Sequence, residues 1–179
     1  VDLMDKGLVE CIVDAQDFDM PAIHSVHENP KHFEISTDQY ANPGNKGAFV
    51  NKLDFVILAA LEVDTDFNVN VITGSDGILR GAPGGHPDAA AGAKCTIIVT
   101  PLVRGRMPTV CEHVVTVTTP GECVDVVVTE YGLAVNPNRP AYAIVGRPSD
   151  LPFYERVVAV MEARDGSILD VVRQIKPFE

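Results

Sequence analysis

Three short apolar runs constrain this chain more than any other feature. Phe55 to Leu61, Cys95 to Thr100 and, interrupted by Asp125 alone, Val124 to Thr129 place apolar or β-branched residues at consecutive positions rather than alternate ones. Runs of this length rich in Val and Ile read as strands. Strands apolar on both faces need cover on both, the pattern of central strands in a parallel sheet with helices on each side. None approaches the roughly 18 to 20 consecutive apolar residues of a membrane helix. Leu8 to Val13, Val69 to Ile72 and Val114 to Val117 read as further strands. Helices are expected at Met20 to Glu28, stopped by Asn29-Pro30, and at the alanine-rich Pro87 to Ala93, where proline fits the first helical position.

The expected fold class is therefore α/β, an open and mainly parallel sheet flanked by helices over residues 1–140. Residues 141–179 read as a tail packed on the same domain, with a β-hairpin signalled by Arg164-Asp165-Gly166-Ser167 between Val157 to Ala163 and Ile168 to Ile175. The proline- and glycine-bearing stretch Tyr131 to Pro152 reads as an exposed loop before it. With 46% apolar and 22% charged residues, the chain can bury a core, which excludes a disordered linker. A net charge of −11 repels phosphate backbones and anionic membrane faces, so neither nucleic acid nor a membrane is an expected partner. Cys11, Cys95, Cys111 and Cys123 form no CxxC pair. That spacing favours a reducing, cytoplasmic setting, with Cys95 a core thiol. No secretory signal is visible, and an opening on Val-Asp-Leu without an initiator Met reads as a piece of a longer protein.

The strongest local feature is Arg80-Gly81-Ala82-Pro83-Gly84-Gly85-His86-Pro87-Asp88 ahead of Ala89-Ala90-Ala91. Pro87 at the first helical position puts His86 at the cap and Gly84-Gly85 in the turn feeding it. Backbone amides there suit a phosphate or the oxyanion of an acyl-transfer intermediate; a plain strand-to-helix turn is the alternative. Charge favours the ligand reading. Val1 to Tyr40 holds nine acids and two lysines, whereas Arg80 to Val110 holds Arg80, Lys94, Arg104 and Arg106 against Asp88 alone. A basic island at the glycine turn would draw in an anion, unless Arg104-Gly105-Arg106 is merely a solvated loop. His24 and His27 share a helix face near His32, yet no carboxylate or cysteine at suitable spacing completes a set, so no metal is expected. Nucleophile elbow, Walker loop and GxGxxG are absent. Glu130, at the end of the last apolar run, is the best placed acid, since ligands gather at strand ends in α/β sheets.

Asn68-Val69-Asn70, Gly84-Gly85-His86-Pro87-Asp88, Pro101-Leu102-Val103-Arg104-Gly105-Arg106, Pro120-Gly121-Glu122 and Val126 to Asn136 occur in this order over most of the chain. This succession resembles the citrate lyase alpha-chain family and, more loosely, the wider coenzyme A transferases. The resemblance implies a CoA-transferase-like fold and a citrate CoA-transferase activity, in which an acetyl group on a pantetheine-type thioester is exchanged for citryl with release of acetate. It further implies coenzyme A or a carrier-bound, CoA-derived prosthetic group as substrate, and an oligomer with the acyl carrier (gamma) and lyase (beta) subunits. Gly84, Gly85, His86 and Glu130 are then the catalytic candidates, and Asn42, Asn45, Lys46, Arg80, Lys94 and Arg104 the candidates for binding CoA or the carrier. In the wider family the glutamate that forms a covalent thioester belongs to a motif upstream of the segment resembling Val1, so no residue here is a nucleophile, and the isolated piece is expected to be inactive. Between Arg139 and Tyr142 this chain is shorter than the family pattern. The rival readings are a non-catalytic binding or assembly module of the complex, and a CoA transferase for another carboxylic acid.

Overall fold

The computed structural model describes residues 1–42 and 44–139, which divide into two compact units, Val1–Asn51 and the chain from Lys52 onward. The tail hairpin expected beyond residue 140 lies outside the described residues.

The first unit holds a short helix α1 (Asp2–Asp5) and a small βαβ element: β1 (Ile12–Asp14), α2 (Met20–Glu28) and β2 (His32–Glu34), with β1 and β2 parallel. Helix α2 forms where expected. Asp19 caps it by accepting the Ala22 N–H at 2.8 Å, and Pro21 occupies its first turn. The strand expected over Leu8 to Val13 forms at its end alone. A third helix, α3 (Thr37–Ala41), starts with a full capping box: Ser36 accepts from the Gln39 N–H while the Gln39 side chain takes the Ser36 N–H.

The second unit is built on a four-stranded sheet in the order β11-β10-β6-β3. Strands β3 (Phe55–Ala59), β6 (Cys95–Val99) and β10 (Val126–Thr129) are parallel, and β11 (Gly132–Val135) is antiparallel to β10. The three runs of successive apolar residues are thus the parallel strands. The alanine-rich segment is α4 (His86–Gly92), whose wholly buried Ala89 and Ala90 let it lie close on the sheet. Thr96 of β6 donates its hydroxyl to the Ala90 carbonyl at 2.9 Å.

Cover of the sheet differs from the expectation of helices on both faces. One face packs against a second, three-stranded sheet, β5 (Val69–Asn70), β4 (Glu62–Asp64) and β9 (Val110–Cys111), in the order β5-β4-β9. Ile98, Val127 and Ala134 from the first sheet meet Val63, Val69, Val110 and Phe67 from the second in one buried cluster. On the other face Phe55, Ile57 and Val99 remain exposed, Ile57 at 70%. Two boundaries also differ. Tyr131 to Pro152 does not open as a loop: Glu130 and Tyr131 form a two-residue hairpin turn, and Gly132–Val135 is fully buried as β11. Val114 to Val117 forms no strand, and Val115 and Val117 face outward. Arg104-Gly105-Arg106 is a tight hairpin between β7 (Val103–Arg104) and β8 (Met107–Pro108), with Gly105 at φ +64° in the glycine-first position such loops favour.

Candidate active site at the carboxyl edge of the sheet

Because β3, β6 and β10 run parallel, their carboxyl ends share one edge, the usual ligand edge of an α/β sheet. His86 ties the start of α4 to it. Its Nε2 lies 2.9 Å from the carbonyl of Ala59, the last residue of β3, and its Nδ1 2.7 Å from the Thr119 hydroxyl. A carbonyl can only accept, so Nε2–H donates, and the neutral ring takes the Thr119 proton at Nδ1. Burial pulls the His86 pKa below its ordinary value, against the opposing effect of the Ala59 bond.

The glycine turn is arranged differently from the expectation in two respects. His86 is the first residue of the helix rather than its cap, a place taken by Gly85 at φ −84° with no side-chain cap. His86 instead commits its ring elsewhere and its N–H to the Pro83 carbonyl at 3.0 Å, so the His86 amide is not open to an oxyanion. The glycine that the backbone requires is Gly84, at φ +51°, a region costly for residues with a Cβ. The Gly84 and Gly85 N–H groups have no acceptor among the described residues.

Arg104 donates from Nη2 to the Ala60 carbonyl at 2.9 Å, beside the Thr100 hydroxyl, which donates to the same oxygen at 3.1 Å. Arg104 and Arg80 line one cavity of about 80 Å³ together with Glu62, Leu61, Met107 and Thr109. Arg80 is ion-paired to Asp76, and the ion pair with the Ile78 amide holds the Asp76 carboxyl below its ordinary range, the amide bond contributing most. Glu62 is buried and accepts from the Ser75 N–H at 2.7 Å and from the Ser75 hydroxyl. Glu130 lies at the same edge, but its Oε2 accepts the Leu102 N–H at 2.8 Å; its visible work is to hold the loop that carries Arg104.

Other candidates do not join this group. Lys94 precedes β6, at the opposite end of the strand from Thr100, and pairs with Asp54 at 2.9 Å in an exposed setting. The basic island of the sequence is therefore split between two edges of the sheet. Asn42, Asn45 and Lys46 belong to the first unit. There Asn42 Oδ1 accepts the Gly44 N–H, Asn45 Oδ1 accepts the Gly47 N–H, and both amide groups donate to Asp38. These are turn-forming bonds of the kind asparagine makes locally, and Lys46 stands exposed beside them.

Three arrangements were hidden from the sequence. Thr119 partners His86 across 33 residues. Asp125, 5% exposed, accepts the Thr96 N–H at 2.7 Å and pairs with Arg139. In the first unit, Asp14 and Asp17 meet His32, whose Nε2 is 2.8 Å from Asp14 Oδ2 and 3.9 Å from Asp17 Oδ1; burial, and next the Asp14 carboxylate, push the Asp17 carboxyl up. His24 and His27, by contrast, are exposed on α2. Burial pushes the Cys95 and Cys111 thiols up to about 11, which makes them poor nucleophiles. No helix among the described residues is long and apolar enough to cross a membrane.

A family model described as citrate lyase, alpha subunit, matches residues 1–144. The chain is 52% identical to the citrate lyase alpha chain of Klebsiella pneumoniae, over 98% of its own length and 39% of that protein's. It is 50% identical to the alpha chain of Escherichia coli K12, with the same two coverages. The chain thus spans about 39% of the length of these curated relatives. Both alignments run over 198 positions, more than the 179 residues of the chain, so the relatives carry residues with no counterpart here. A solved structure of a citrate lyase alpha subunit from Streptococcus mutans, in complex with citrate, superposes with a TM-score of 0.74 at 46% identity. It covers 99% of this chain and 34% of that one.

Proposed function

The chain belongs to the citrate lyase alpha-subunit family, and we propose that it supplies the carboxyl-terminal part of a citrate CoA-transferase site. Residues 1–140 serve as its transferase-like part. The reaction exchanges acetyl for citryl on the thioester of CoA or of a carrier-bound, CoA-derived prosthetic group and releases acetate. A citrate carboxylate attacks the acetyl thioester, so a carbon–oxygen bond forms as the carbon–sulfur bond breaks to give a mixed anhydride and the free thiolate. The thiolate then attacks the citryl carbonyl, a carbon–sulfur bond forms and acetate leaves, and negative charge gathers on a carbonyl oxygen in each half. Preorganised N–H donors are the usual remedy. The observation that carries the reading is the pair of unengaged amides at Gly84 and Gly85, on a helix start anchored by His86 to the carboxyl end of β3.

In this reading Gly84 and Gly85 face the oxyanion, His86 acts as a positioning residue, and Glu130 holds the Arg104 loop. Arg80 and Arg104 offer positive charge to substrate carboxylates or phosphates; Lys94 has no part, because it sits at the other end of the strand. The remaining share of the site comes from the rest of a longer subunit, which works in the cytoplasm in a complex with acyl carrier and lyase subunits. The decisive experiment is Gly84→Ala in the full-length subunit. Acyl exchange is expected to fall at least tenfold while the fold persists, and full activity would refute the assignment.

A second reading, an assembly module, is favoured by the exposed apolar positions Ile57 and Val99, which a partner surface could cover. Titration of this chain with coenzyme A and with its dephospho form, at low and moderate salt, separates the two. Salt-weakened binding supports a half-site at the arginines, and absence of binding in the folded chain supports assembly.

A further inference from the structure

The cluster of Asp14, Asp17 and His32 lies in the first unit and takes no part in the transfer chemistry proposed above. Its three members are held together by topology. Asp14 ends β1, and His32 begins the parallel strand β2. The register pairs Ile12 with His32 and Asp14 with Glu34, which puts Asp14 and His32 on one face of the strand pair. Asp17 sits in the short turn that leads from β1 to the Asp19 cap of α2. One ligand atom from each of the three, two carboxylate oxygens and an imidazole nitrogen, lies within 4.8 Å of the other two.

A histidine–aspartate hydrogen bond alone does not account for the polar atoms left over. The His32 side chain is 1% exposed and Asp17 12%. Among the described residues, Asp14 Oδ1, Asp17 Oδ1 and His32 Nδ1 are buried without a hydrogen-bond partner. Buried acceptors without donors are costly and call for a ligand or a missing donor. The two unpartnered oxygens are both carboxylate, so what they lack is positive charge. The nearby basic side chains do not supply it: His24 and His27 point outward on α2, and among the described residues neither carboxylate is paired with a lysine or an arginine. Glu34 adds further negative charge close by.

We infer that Asp14, Asp17 and His32 form a binding site for a first-row divalent cation. Two carboxylates and an imidazole nitrogen can match the charge of a 2+ ion once it displaces their protons, and leave coordination positions for water. The mixed oxygen and nitrogen donor set suits Mn²⁺ and neighbouring ions. The site is independent of the transferase reading, since none of its residues lies in the unit that carries the glycine turn.

Mn²⁺ is the probe of choice, because its paramagnetic resonance signal collapses on binding and thiols such as the exposed Cys11 compete for it poorly. Titrating the purified chain after treatment with a chelator should bind one equivalent of Mn²⁺ and raise the melting temperature. Asp17→Asn, in the turn rather than on a strand, should weaken binding at least tenfold while keeping the circular dichroism spectrum of the parent. The double variant His24→Ala/His27→Ala should bind as the parent does. Absence of binding, binding unchanged in Asp17→Asn, or binding lost in the double variant would each overturn the assignment. Should His32→Ala fail to fold, Asp17→Asn still decides the matter. Failure here leaves the exchange assay on Gly84 untouched, so the two readings fail separately.

Discussion

Gly121→Ala is expected to be among the most destabilising single-methyl additions in the second unit. A Cβ built on Gly121 would stand 2.0 Å from the Asp66 carbonyl oxygen and 3.0 Å from the Phe67 carbonyl carbon. Both are backbone atoms, so no side chain can swing away, and one segment must move by about 1 Å to restore contact distance. Either choice is costly. Moving Gly121 strains the bond from its N–H to Asn68 Oδ1 at 2.9 Å and the bond that its carbonyl accepts from Asn136 at 2.8 Å. Moving the other segment disturbs Phe67, 1% exposed and held at φ 65°. Overpacking at about 1–3 kcal/mol and two weakened hydrogen bonds at about 1 kcal/mol each give roughly 3–5 kcal/mol. For 179 residues that corresponds to a melting temperature lower by about 6–20 °C. Thermal melts followed by circular dichroism measure it, with Gly77→Ala as the control. Gly77 has φ +74° and nothing within 4 Å of its Cβ, so that substitution carries the conformational cost of about 1–2 kcal/mol and no clash. A Gly121→Ala melt within 2 °C of the parent, or above that of Gly77→Ala, would refute the reasoning.

Three further outcomes are expected. His86 has a folded-state pKa below its ordinary 6.5, so the unfolded chain binds more protons in that window. The stability it contributes is complete above about pH 6.5 and is lost as pH falls toward the folded value; urea midpoints of the parent and of His86→Gln should converge on acidification, and parallel curves would count against it. Arg139→Met strips the buried Asp125 of its bonds at 2.9 and 3.3 Å and should cost about 2–4 kcal/mol, since one partner is left unpaired, whereas Lys94→Met at an exposed pair should cost under about 1 kcal/mol. Equal urea midpoints for the two variants would contradict this. With a thiol reagent at pH 7.5, the exposed Cys11 should react first and the thiols at about 11, Cys95 and Cys111, slowly; Cys11→Ser should abolish the fast phase, and its survival would overturn the ranking.

What could be read from the residues themselves follows from interactions that close within a few positions. Val and Ile at successive positions marked β3, β6 and β10, Asn29-Pro30 marked the end of α2 and Pro87 the start of α4, because proline geometry is local. The capping box at Ser36 and Gln39 was equally legible, though a five-residue helix has little periodicity to draw attention to it. Strands of two or three residues such as β4 and β9 have no period of their own, and β11 hid inside a stretch whose prolines and glycine suggested a loop. They exist through the partners they find, Val63 beside Val69 and Val110, and Ala134 beside Val127.

Charge and chemistry divide in the same way. Composition settled that the chain is acidic, and spacing drew attention to Arg80, Lys94 and Arg104 as one island. The parallel strand between Lys94 and Thr100 separates them, because five extended residues carry the chain from one edge of the sheet to the other. His86 looked like a cap and became a clamp, since its partners Ala59 and Thr119 lie 27 and 33 residues away. The family and the parallel strands were thus determined along the chain. Which carboxylates meet which imidazole, and which amides at the glycine turn stay open, were decided by tertiary packing, where distances between residues remote in sequence are set.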